Sequence, residues 1–197
     1  MKFSVCHRQG DGNHTTGFSA VELLIAITIM TLTSAMVLIS FTGVRQRTGV
    51  NRAAREFALA ARRVQNISLS VTEVEAGFTS PTAQTVGISI VSGSSSYTIF
   101  LDKNENGAFG SGDAVIGKAE TFAGGIQVRS IKYIDLGGIQ KTIAVAHMIS
   151  VAPEATMQFT NVSGGSIGDT LEIEIGTPAG DAVRTVTIRT SGQISVK

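Results

Sequence analysis

Between Phe18 and Val44 the chain carries 27 residues with one charge among them, Glu22. A helix of that length is about 40 Å long. The hydrocarbon core of a bilayer is ~30 Å thick and is crossed by roughly 20 apolar residues, so the run can span. Leu23, Leu24, Ile25, Ile27, Ile29, Met30, Leu32, Met36, Val37, Leu38, Ile39 and Phe41 fall all round such a helix, as contact with lipid requires. A carboxylate inside it is costly. Estimates for a charged residue at the centre of a spanning helix start at roughly 2.5–3.5 kcal/mol, and such residues mark a function or a partner. The mean hydropathy of the whole chain, +0.24, is raised by this segment, and the remainder has the composition of one small domain.

A polar leader, residues 1–17, precedes the run and ends at the small residue Gly17. The stretch Gly17-Phe18-Ser19-Ala20-Val21-Glu22 and the apolar residues after it resemble a type IV prepilin. The resemblance implies that prepilin peptidase cuts between Gly17 and Phe18 and methylates the new amino terminus on Phe18. It also implies that Glu22 of one copy meets the free amine of a neighbour, which sets the register of side-by-side assembly in the membrane. Many major pilins have a proline about twenty residues into the mature helix; here none occurs before Pro81. The competing reading is a secretory signal, with an apolar core of about 7–15 residues and Thr33-Ser34-Ala35 as its cleavage site. Lys2 and Arg8 favour a cytoplasmic start, whereas six arginines after the run pull the other way under the positive-inside tendency. The resemblance sides with the leader. It implies an inner-membrane protein crossing once, with the rest in the periplasm.

Residues 45–76 read as an amphipathic spine helix and linker. Val50, Ala54, Phe57, Ala61 and Val64 form one helical face suited to packing on a domain. Arg45, Arg47, Arg52, Arg55, Arg62 and Arg63 cover much of the rest. They are read as a solvated or headgroup-facing surface, as contacts for acidic patches of neighbouring subunits, or as a nucleic-acid contact. Gly49 lowers local helix propensity by about 1 kcal/mol, enough for a bend without a break.

Residues 77–197 change to strand grammar, with β-branched and aromatic runs between glycine- and serine-rich turns. The expected strands are 86–91, 97–101, 126–134, 142–151, 156–160, 170–175, 182–189 and 194–196. Leu171, Ile173 and Ile175 alternate with Glu172 and Glu174, the pattern of a sheet with one buried and one wet face. The fold class is therefore α+β: a long amino-terminal transmembrane and spine helix packed on a carboxy-terminal antiparallel β domain. Long helix, strand order, the turn beginning Leu101-Asp102-Lys103-Asn104 and the closing strand–glycine–strand together resemble the GspH/FimT group of minor pseudopilins and minor pilins. That resemblance implies two small sheets, a structural place in a type II secretion pseudopilus or a type IV pilus, and other pseudopilins or pilins as partners. The only cysteine, Cys6, lies in the leader, so the disulfide-closed loop of many major pilins is excluded.

Asp102, Asn104, Asn106, Gly107 and Asp113 match the spacing of an oxygen-ligated calcium loop, but strands rather than helices flank them. A hairpin turn whose Asp and Asn side chains bond their own backbone accounts for the same residues. No cofactor is expected, with calcium as the alternative. Outside the leader His147 is the only histidine, no serine stands in a nucleophile elbow, and Glu172 and Glu174 read as a solvated surface, so no enzyme chemistry is expected. Some FimT-like proteins bind DNA through a basic glycine-arginine tail. Here Gln193 and Ser195 stand in those places, and from Gly77 onward eight Lys and Arg face ten Asp and Glu, which argues against phosphate binding. The glycine pairs 124–125, 137–138 and 164–165 read as mobile linkers or partner contacts.

Overall fold

In a computed structural model the described residues are 18–69, 85–151 and 156–197. The leader with Gly17, the linker beyond the helix and the turn at 77–81 lie outside them. The chain divides into two compact units, residues 1–41 and 42–197. A single helix, α1 (Ala20–Leu69), runs through the boundary.

In the first unit α1 starts on a cap formed by Ser19. The Val21 N–H donates to Ser19 Oγ (3.3 Å) and the Leu23 N–H to the Ser19 carbonyl (3.1 Å). Glu22 stands in the first turn, where an acid complements the unpaired N–H groups and the helix dipole. Among the described residues the apolar side chains beyond it, through Leu38, are exposed, Met36 being 79% exposed. The threonines do not leave hydroxyls bare. Thr28 Oγ1 donates to the Leu24 carbonyl (2.7 Å), Thr31 Oγ1 to Ile27 (3.0 Å) and Thr33 Oγ1 to Ile29 (2.9 Å), so these three hydroxyls are satisfied inside the helix, as suits an apolar surrounding. Among the described residues this is the one helix long and apolar enough to cross a membrane.

In the second unit α1 continues through Gly49. Val50, Ala54, Phe57, Ala61 and Val64 are all buried, the face expected from their spacing. Twelve strands come after it among the described residues: β1 (Val86–Val91), β2 (Ser96–Leu101), β3 (Ala114–Val115), β4 (Glu120–Thr121), β5 (Gln127–Ile134), β6 (Gln140–Ile143), β7 (Val145–Val151), β8 (Thr156–Thr160), β9 (Ser166–Gly168), β10 (Thr170–Gly176), β11 (Val183–Arg189) and β12 (Ile194–Val196). One sheet has the order β3-β2-β1-β7-β8-β9, with β4 also on β2; the other is β12-β11-β10-β5-β6. The pairings are antiparallel. The architecture is the α+β arrangement of helix and two antiparallel sheets.

The expected strand 142–151 is two strands. β6 pairs with β5 in one sheet and β7 with β1 in the other, and the chain changes sheet at Ala144, whose carbonyl accepts the Ser92 N–H (2.7 Å). Continuous β propensity spans the step, so nothing local marks it. Nothing in the sequence marks the short strands β4 and β9, because two or three residues carry no period.

The core lies between the helix and both sheets. Phe57 meets Tyr97 edge-on at 5.1 Å, and Phe122 completes the group at 5.4 Å from Tyr97. The Tyr97 hydroxyl donates to Glu120 (2.6 Å); burial first, then that hydrogen bond, raises the phenol above its ordinary range. Polar contacts also hold the helix: Ser68 Oγ to Ser150 Oγ (2.7 Å), Gln65 Nε2 to the Gly192 carbonyl (3.1 Å), and Arg184 to Asn51.

Candidate functional site

Three groups of residues carry functional readings: the start of α1, the turn between β2 and β3, and the arginines along α1.

At the start of α1, Phe18 precedes the helix and is 78% exposed. Gly17 lies outside the described residues. Glu22 is exposed, and among the described residues it forms no ion pair or hydrogen bond. Its position in the first turn offers it modest local stabilisation, about 0.3–1 kcal/mol. That is too little to offset placing a charge in hydrocarbon. A lipid-facing carboxylate at this place calls for a positive partner, and none is present among the described residues.

In the turn, each oxygen ligand suggested by the calcium spacing accepts backbone N–H groups. Asp102 Oδ1 takes Asn106 N–H (3.3 Å) and Oδ2 takes Gly107 N–H (2.8 Å). Asn104 Oδ1 takes Asn106 N–H (3.1 Å), and Asn106 Oδ1 takes Ala108 N–H (2.8 Å). Asp113 takes Lys103 N–H on Oδ1 (3.2 Å) and Gly110 N–H on Oδ2 (2.7 Å). Among the described residues no three His, Cys, Asp or Glu side chains are grouped to hold a metal. The arrangement does what Asx turns do: it supplies acceptors to a tight loop that has no ladder.

What the turn covers was not legible in its own residues. By register, Gly87, Phe100, His147 and Ile149 share the face of the first sheet opposite the helix. Phe100 and Ile149 are buried, yet neither belongs to the main core. Ala108 and Phe109 of the turn close over them, with Phe109 5.1 Å from Phe100. Thr160 donates to the Gly107 carbonyl. Gly164 lies so close that a Cβ there would stand 2.0 Å from the Asn106 carbonyl oxygen, so this glycine is a packing residue and not a free linker. His147 belongs to the same cluster. It is 3% exposed, stands 6.1 Å edge-on from Phe100, and its Nδ1 has no partner among the described residues. Burial pushes its pKa below the ordinary 6.5, with Asp113 and then Asp102 pulling weakly the other way.

All six arginines of the helix are exposed. Arg52 pairs with Glu56 at 2.7 Å and Arg63 reaches Glu120 at 3.7 Å. On β10 the acids share one partly exposed face, but they are not simply solvated. Glu174 binds Lys132 (2.6 Å) and Ser130 (2.7 Å), which hold its carboxyl below the usual range, and Glu172 accepts from Gln140 (2.8 Å).

No protein-family model, curated protein or solved structure matches the chain.

Proposed function

We propose that the protein is a membrane-anchored structural subunit of the GspH/FimT type, a minor pseudopilin or minor pilin without catalysis of its own. In this reading prepilin peptidase trims it between Gly17 and Phe18 and methylates Phe18. Residues 18–44 hold it in the inner membrane, and the β domain works in the periplasm as a filament subunit. The observation that carries the reading is Glu22: an exposed carboxylate, unpartnered among the described residues, on a helix whose neighbouring side chains suit lipid. A positive partner from an adjoining copy resolves its cost, and the amine released at Phe18 lies one helical turn away along the chain. The basic helix after the anchor and the mildly acidic β domain suit contacts between staggered copies.

Two measurements test this. Sequencing the amino terminus of the protein from its native membrane should return methylated Phe18; a chain beginning at Met36 would make the segment a secretory signal. Glu22→Ala should leave processing intact while co-isolation with partner subunits falls at least tenfold. Undiminished co-isolation would refute the assembly role.

A further inference from the structure

A cleft of about 320 Å3 opens beside α1 in the second unit, between the helix, the loop after β4 and Thr177. Its apolar wall is Gly49, Ala53 and Ile126; its polar rim is Arg45, Gln46, Arg52 and Glu56. Gly49 lets the helix pack closely on that wall, since a Cβ there would stand 3.3 Å from Ile126 Cδ1. Glu56 neutralises Arg52 through their 2.7 Å pair. Arg45 is exposed and has no ion pair among the described residues, so the rim keeps one net positive charge beside the Gln46 amide. Arg45 is also the first residue after the 18–44 run. A helix that has just left hydrocarbon passes through the headgroup layer, where anionic lipids attract basic side chains.

We propose that this cleft takes the phosphate headgroup of an anionic phospholipid. Arg45 binds the phosphate by a charge-assisted, bidentate contact, Gln46 and the Arg52–Glu56 pair meet the polar headgroup, and Gly49, Ala53 and Ile126 accept its glycerol side. The inference rests on reading residues 18–44 as a membrane anchor. An unpaired guanidinium, an adjoining apolar wall and a position next to the anchor suit an amphiphile better than an acidic protein segment, for which Arg47 and Arg55 outside the cleft would serve equally.

The test uses the full chain in detergent, with phosphatidylglycerol or phosphatidylcholine added and retained lipid read by native mass spectrometry. One phosphatidylglycerol per chain should be retained in at least tenfold preference to phosphatidylcholine. Arg45→Gln with Arg52→Gln should abolish that preference, while Arg47→Gln with Arg55→Gln keeps it; circular dichroism confirms that both variants are folded. Equal retention of the two lipids, or equal loss in both double variants, overturns the proposal. So does displacement by millimolar inorganic phosphate, which would mark a free-phosphate site. Loss of self-association in the Arg45/Arg52 variant with lipid retention unchanged would make the cleft a subunit contact and overturn it too. Flotation with phosphatidylcholine liposomes at high salt separates the lipid site from the anchor. A chain that floats without lipid preference overturns this inference alone, and a chain that does not float overturns the anchor as well.

Discussion

Asp102 is a carboxylate 4% exposed whose two oxygens accept the N–H groups of Asn106 and Gly107. Removing a hydrogen-bonding partner from a buried site costs about 1–3 kcal/mol, so Asp102→Ala should lower the unfolding free energy of the β domain by that much in a denaturant titration. A change within about 0.5 kcal/mol, the usual range for substitutions away from such features, would show that the turn does not depend on it. His147 gives a pH signature from the same cluster. Its folded pKa lies below the unfolded value, so between the two the unfolded chain binds the extra proton and stability rises with pH. The contribution is intact above the ordinary 6.5 and is lost as the pH falls below it. Thermal midpoints should therefore drop as the pH is lowered through 6.5, and His147→Leu should flatten that slope; an identical slope in the variant would assign it to other groups. Both residues stand out in the sequence, one as a calcium-ligand candidate and one as the only histidine outside the leader. Their shared place beneath one turn was not legible, because spacing along the chain does not reveal which distant residues lie on one sheet face.

At the scale of elements, the helix was the most legible part. Its buried stripe reflects the 3.6-residue period, which acts within the segment itself. The strands were legible where they are long and alternate, as in β10, where Leu171, Ile173 and Ile175 are buried between Glu172 and Glu174. The step from β6 to β7 was not, since the residues on either side have the same propensity and only the partner strands differ. The exposed arginines belong to this scale as well. Reversing Arg52 and Arg55 to glutamate alters solvent-facing side chains, and such changes usually stay within about 0.5 kcal/mol. The variant should keep its stability within that margin while assembly, scored by cross-linking in membranes, falls severalfold. Normal assembly would remove the basic helix from the subunit contacts.

At the scale of the whole molecule, the second unit rests on packing without a disulfide, since the only cysteine precedes residue 18. A bound ion would add stability by mass action. Each Asp and Asn oxygen of the turn accepts a backbone N–H group; if the turn needs no ion, chelator should leave the thermal midpoint of the purified protein unchanged. A drop of several degrees would restore the calcium reading.

The sequence by itself determined the membrane-length helix and its lone acid, the amphipathic continuation and the β character of the described residues from Val86 onward. Each of these is a local matter of period, composition and neighbouring residues. Only the tertiary structure decided which strands share a sheet, that the Asp102–Asp113 turn roofs a second apolar cluster, and that Gly49, Ala53 and Ile126 line one cleft with Arg45. Those depend on contacts between residues far apart in the chain, whose free energy is spread over many partners and marked by no single residue.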